Sequence, residues 1–342
     1  MLSTLGRASR TIISLCVTAA ALSAGQAVAV DLNQAVANLK ASKRAMFVCW
    51  SLSTFTDREW TSGTEPISTF NPTGCDTDQW ARTARAAGMN SIMFLTKHHD
   101  GFALWDTATT SRKVTNSPLG IDVLAQVRQS CDKYGLGLGL YYSGGDWTWP
   151  GATDGASGPG AGGYNPEVKK AELRDLLTNY GDIDYMWFDA AVGDGGLSDQ
   201  DTVDFVHGIQ SDCVVATLTV GEMHDRNNLP PSPVVPPGFL MNDVSQPLLG
   251  MYDRWFYTNP GRDNEARSAQ DIFNLYNACE EAENLLLLDV GPDRAGKLRA
   301  IDVSTLTTVG QMIGVPEPSS LAMIFGLGVG LLTYVWWKGR GF

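Results

Sequence analysis

The sequence predicts an α/β fold, a (β/α)8 barrel that becomes irregular in its fifth to seventh units. Three observations carry that expectation. Short apolar runs alternate with segments of helical periodicity from Met46 to Met312, and such alternation implies a parallel sheet with helices packed on it. The stretch that alternates is of the usual size for one barrel and contains no low-complexity linker or repeat that would split it. The run Ile183–Asp189 ends on a carboxylate followed by small residues and glycines. In a parallel fold the carboxyl end of a strand is where ligands bind. An open doubly wound sheet is the competing arrangement.

In order, the strand candidates are Met46–Trp50, Ser91–Thr96, Leu136–Tyr142, Ile183–Asp189, Val214–Thr219, Phe239–Val244, Arg254–Tyr257 and Leu285–Val290. Between them, Thr77–Ala87 places Trp80, Thr83, Ala84 and Ala87 on one side and stops at Gly88, as a helix does. Val123–Tyr134 is likewise closed by Gly135, and Pro166–Tyr180 has its proline in the first turn. Ser198–Gln210 opens on a serine suited to cap it. Arg267–Glu283 and Arg299–Met312 are the late helices. The segment Glu222–Gly238 holds Pro230, Pro231, Pro233, Pro236 and Pro237, which exclude a regular helix and place the irregularity of the barrel.

The chain has 342 residues, 44% of them hydrophobic and 18% charged, with a net charge of −12. That is globular composition, and an acidic surface with no Lys/Arg cluster speaks against a nucleic-acid partner. Both ends read as addresses. Residues 1–29 carry Arg7 and Arg10, an apolar stretch from Ile12 to Leu22, then Ala27-Val28-Ala29, the layout of a secretory signal peptide. Residues 30–314 form the barrel domain. In 315–342, Pro316-Glu317-Pro318 precedes an apolar segment, 321–337, which is near the lower length limit for a membrane-spanning helix, and then Lys338 and Arg340. That order resembles the PEP-CTERM sorting signal of Gram-negative bacteria. It implies an exosortase-type processing partner, transient anchoring in the inner membrane, and a final place in the periplasm, at the cell surface or outside the cell. A plain single-span anchor is the alternative. No β-sandwich is expected after the barrel, because the addressing tail follows Met312 directly.

Cys49, Cys75, Cys131, Cys213 and Cys279 remain after removal of the leader. They are widely spaced and lack a C-x-x-C pair, so a zinc site is not expected. Their odd number leaves at least one thiol without a partner in the chain.

Chemistry-bearing side chains cluster at the strand ends. Lys97-His98-His99-Asp100-Gly101-Phe102 follows the second strand candidate, with Trp105 behind it. Adjacent imidazoles there can bind neighbouring hydroxyls of one polar ligand, serve structure, or ligate a metal. The metal reading lacks obvious further ligands. Tyr141-Tyr142-Ser143 ends the third strand candidate, and the tyrosine that points away from the lumen belongs to ordinary core. Asp189 could act as nucleophile, base or ligand, or merely cap the turn.

Several of these motifs, in this order, resemble the α-L-fucosidases of glycoside hydrolase family 29: Lys97–Phe102, Tyr141-Tyr142-Ser143, Asn179-Tyr180-Gly181 leading to Trp187-Phe188-Asp189, and Asn284–Asp293. The resemblance runs from about Ala45 to Met312. It implies an irregular barrel and a retaining exo-glycosidase that removes terminal α-L-fucose from a glycan or polysaccharide, without cofactor or metal. Position by position, it makes Asp189 the nucleophile. It places His98, His99, Trp187, one of Tyr141 and Tyr142, and the Glu59-Trp60 pair in the sugar pocket. Cys49-Trp50 stands where many members carry His-Trp-Gly, so the pocket loses an imidazole. The acid/base varies across the family. The candidates here are Asp243, closing the Phe239–Val244 candidate, and Glu222 in Gly221-Glu222-Met223. The alternative function is a catalytically weakened carbohydrate-binding protein of the cell surface.

Overall fold

The computed structural model describes residues 31–153, 160–227, 229–249, 255–257 and 265–316. The leader, the Pro-Glu-Pro motif beyond Pro316 and the apolar tail lie outside the described residues. Among those described, no helix is long and apolar enough to cross a membrane.

Eight parallel strands close into a barrel in sequence order: β1 (Arg44–Val48), β2 (Ser91–Lys97), β3 (Gly137–Ser143), β4 (Tyr185–Asp189), β5 (Val214–Thr217), β6 (Met223–His224), β7 (Met241–Pro247) and β8 (Leu285–Asp289). Closure is made by β1 on β8, with Met46 opposite Leu288. Strands buried on both faces read as continuous apolar runs, and Leu285–Leu288, all fully buried, is the plainest case.

Helix α1 (Leu32–Ser42) precedes the barrel, α2 (Ser53–Thr56) is a single turn after β1, and α3 (Thr77–Ala86), α4 (Val123–Tyr134), α5 (Pro166–Asn179) and α6 (Asp199–His207) follow β1 to β4. After β7 comes α7 (Ala269–Glu281), and α8 (Ala300–Met312) follows β8. Each full helix between strands starts on a side chain that accepts from the first-turn backbone: Asp76 from Gln79, Asp122 from Ala125, Asn165 from Val168, Ser198 from Asp201 and Ser268 from Asp271. Such a cap contributes about 1 kcal/mol. Gly135 ends α4 at φ 63°, a conformation in which a β-carbon is strained.

The irregularity falls where the prolines place it, since among the described residues no helix separates β5 from β6 or β6 from β7. Two strand assignments change. The sixth strand is the two-residue Met223–His224, too short to show any apolar period. Phe239–Val244 therefore belongs to the seventh strand, of which Asp243 is the third residue rather than the end. Of Arg254–Tyr257, residues 255–257 form no strand, because the eight others complete the barrel. All five cysteines of the described residues are free.

Candidate active site

A cavity of about 350 Å³ opens at the carboxyl ends of the strands. The two-residue alternation of β3 and β4 decides what faces it. Tyr141 points into the lumen and is stacked between Phe47 (5.7 Å, 29°) and Trp187 (5.4 Å, 19°). Tyr142 points the other way. Its hydroxyl donates to Glu172 on α5 (2.6 Å), and it shares the buried Lys97 ammonium with Glu172 and Asp146. Of the two tyrosines, Tyr141 lines the cavity and Tyr142 does not.

Asp189, the last residue of β4, lines the cavity with two donors and an imidazole about its carboxylate. Oδ1 accepts from the Ala191 amide (2.8 Å), and Oδ2 accepts from the Tyr141 hydroxyl (2.7 Å) and lies 3.5 Å from His99 Nε2. The carboxylate is thus fixed in orientation while about a fifth of the side chain stays exposed to the cavity. The Tyr141 phenol is pushed far above its ordinary value by burial and by the Asp189 charge, so it remains a donor.

The two imidazoles are held by the loop after β2. Asp100, fully buried, accepts from Thr61 Oγ1 (2.8 Å) and the Phe102 amide (3.0 Å), and the His99 carbonyl accepts from the Trp147 amide (2.8 Å). Burial lowers the pKa of both rings, His98 well below its ordinary value, so both stand neutral near pH 7. Ser143 spends its only proton on the Gly145 carbonyl (2.6 Å), so His99 Nδ1, 2.6 Å from Ser143 Oγ, is the donor in that pair. His99 Nε2 then presents a lone pair to the cavity, where a ligand hydroxyl can donate. His98 Nδ1 is buried with no partner among the described residues, and its ring packs edge-on against Phe256 (5.0 Å).

Glu59 and Trp60 both line the cavity. Glu59 Oε1 accepts from the Trp255 amide (2.7 Å) and so ties the first loop to the opposite wall. Trp60 is 38% exposed at the rim. Cys49 also lines the cavity. Burial and the neighbouring Asp289 push its thiol well up, so it stays an uncharged, weakly polar wall.

Neither proposed proton donor lines the cavity. Glu222 turns outward, where Oε2 accepts from the Val215 amide (2.9 Å) and lies 3.5 Å from His207 Nε2 of α6. Asp243 is fully buried, with both oxygens engaged by Trp187 Nε1 (2.7 Å) and the Arg226 amide (3.1 Å). Beside Asp189 and Glu59, a third carboxyl in the cavity is Asp225, in the loop directly after β6. It accepts from the Asn227 amide (2.5 Å), and burial, with the Asp189 charge adding to it, raises its pKa to about 6. Asp225 escaped the sequence reading because the strand that presents it is two residues long. The only available signal was a carboxylate between Glu222 and the proline-rich stretch, which reads as loop.

Three carboxyl groups, Glu59, Asp189 and Asp225, thus share a cavity with aromatic walls and neutral imidazoles at the carboxyl end of a (β/α)8 barrel, where proteins of this fold bind their ligands. The chain belongs to the α-L-fucosidase family, whose model matches residues 34–316. It is 37% identical over 154 residues to an α-L-fucosidase 1 of Arabidopsis thaliana, a match covering 44% of this chain and 29% of that protein. The chain thus matches under a third of the length of its plant relatives. The fold is similar to α-L-fucosidase isoenzyme 1 from Paenibacillus thiaminolyticus (TM-score 0.71, 24% identity, 82% of this chain and 75% of that one). It is also similar to α-L-fucosidase AlfC from Lactobacillus casei solved with its α-L-fucose product (TM-score 0.68, 22% identity, 82% and 98%).

Proposed function

We propose that the chain hydrolyses terminal α-L-fucosides with retention of configuration, Asp189 attacking the anomeric carbon and Asp225 moving the proton. The observation that carries this reading is the different treatment of Asp189 and Asp225 in one cavity. Asp189 is held in place by donors from Ala191 and Tyr141 with its side chain open to the cavity, whereas Asp225 is raised to about 6 and keeps its proton in mildly acidic solution. Opposed environments of this kind are what separate nucleophile from acid in a double displacement. The neutral His99 and the Tyr141–Trp187 stack supply a hydroxyl acceptor and an apolar face, a combination suited to a 6-deoxy sugar.

The test is a panel of p-nitrophenyl glycosides. The expected result is turnover of the α-L-fucoside above all others, and turnover with no preference for it removes the assignment. Fucose binding without turnover would instead favour a carbohydrate-binding protein, a reading to which the Cys49 thiol in the cavity wall gives some support.

We also propose export through residues 1–29 and sorting through residues 315–342 with an exosortase-type partner. The support is the order of Pro316-Glu317-Pro318, apolar span and basic end in the sequence. Helix α8 ends at Met312, before that tail. Removal of residues 315–342 is therefore expected to release soluble protein of unchanged fucosidase activity. Loss of fold on truncation would make the tail part of the barrel.

A further inference from the structure

Asp243 has a position that neither reacting carboxyl has. It lies inside the barrel on β7, fully buried, and joins two elements that are not neighbours in the sheet. Oδ2 accepts from Trp187 Nε1 (2.7 Å), and Trp187 stands two residues before Asp189 on β4, on the same face. The Trp187 ring stacks at 5.4 Å on Tyr141, whose hydroxyl donates to Asp189. Oδ1 accepts from the backbone amide of Arg226, the residue after Asp225 (3.1 Å). The loop is pinned to β7 again by the Ser245 amide, which donates to the Asn227 carbonyl (3.1 Å). Of these ties, only Asp243 reaches both the nucleophile's strand and the loop carrying Asp225.

We propose that Asp243 is a positioning residue that sets the separation of Asp189 and Asp225 by bridging Trp187 to the Arg226 amide. The proposal rests on the assignment of Asp225 as the proton donor. A two-residue β6 gives that loop little sheet pairing of its own, with only Met223 and His224 in register with β7. A side-chain bridge has to supply what longer strands supply elsewhere in the barrel. Displacement of a reacting group by about 1 Å can cost on the order of 10²-fold in rate. Burial, with the Asp225 charge adding to it, raises the Asp243 carboxyl well above its ordinary range.

The experiment measures kcat and KM across pH in the full chain for Asp243→Ala, Asp243→Asn and Asp225→Asn. The substrates are p-nitrophenyl α-L-fucoside and an α-L-fucosyl galactoside, with the fold checked by circular dichroism. Asp243→Ala is expected to lower kcat on the galactoside by about 100-fold and on the nitrophenyl fucoside by about 10-fold or less. The fall in activity as pH rises should persist in this variant, because Asp225 remains. Asp243→Asn keeps the shape and one accepting oxygen, and should recover much of the loss. It also serves where the alanine variant does not fold. Equal loss on both substrates, or wild-type kinetics in both folded variants, overturns the bridge. If the alkaline fall disappears in Asp243→Asn and survives in Asp225→Asn, Asp243 is the proton donor and the Asp225 assignment fails with the bridge. If it survives in both while the leaving-group effect of Asp243→Ala is present, only the Asp225 assignment fails.

Discussion

Asp189→Ala is expected to lose turnover on every fucoside, the nitrophenyl one included, by on the order of 10⁴-fold or more. A nucleophile is needed whatever the leaving group, so no activated substrate bypasses it. The fold should survive, because Asp189 is partly exposed to the cavity and its two donors are groups that water can serve. Azide can enter the vacated face and attack the anomeric carbon directly, giving a glycosyl azide of inverted configuration, read by proton NMR of the product. Near wild-type turnover in Asp189→Ala would mean that the barrel does not use this carboxylate to attack, and the double displacement would have to be abandoned.

The second large effect belongs to Asp225 and separates substrates instead of abolishing them all. With its pKa raised to about 6, the carboxyl is protonated below that pH and ionised above it. The first step needs the proton for the departing oxygen, so kcat/KM should fall as pH rises through about 6. In Asp225→Ala that fall should vanish. Turnover of fucosyl disaccharides should drop by about 10²- to 10⁴-fold, while the nitrophenyl fucoside, whose leaving group needs no proton, should react far better in the first step. Azide should then accelerate breakdown of the glycosyl-enzyme and give a product of retained configuration, since azide needs no base. An unchanged pH profile with equal loss on both substrates would assign the proton transfer to another group.

The contrast between these two aspartates shows where the sequence was legible. Asp189 stands at the end of Tyr185–Asp189, an apolar run whose length, preceding Gly181 and following glycines mark a buried strand and its exit. His98 and His99 follow the equally plain β2, and both line the cavity. Asp225 follows a strand of two residues amid prolines, where neither period nor composition separates strand from loop. The same gap moved Asp243 from the end of a sixth strand to the interior of the seventh.

Alternation of apolar runs and helical segments, glycines at helix ends and capping side chains are local signals, and they were enough to predict a parallel barrel with an irregular fifth to seventh unit and its main catalytic candidate. They act over a few residues, and each can be read where it stands. Which of Tyr141 and Tyr142 faces the lumen is a matter of register, and a shift of one residue exchanges them. That Glu222 pairs outward with His207, that Asp243 is sealed between β4 and the Arg226 loop, and that Asp225 shares a cavity with Asp189 depend on closure of β1 onto β8. Closure brings together groups far apart in the chain, and a carboxyl's burial and neighbouring charges, which set whether it attacks, donates or braces, exist only once that has happened.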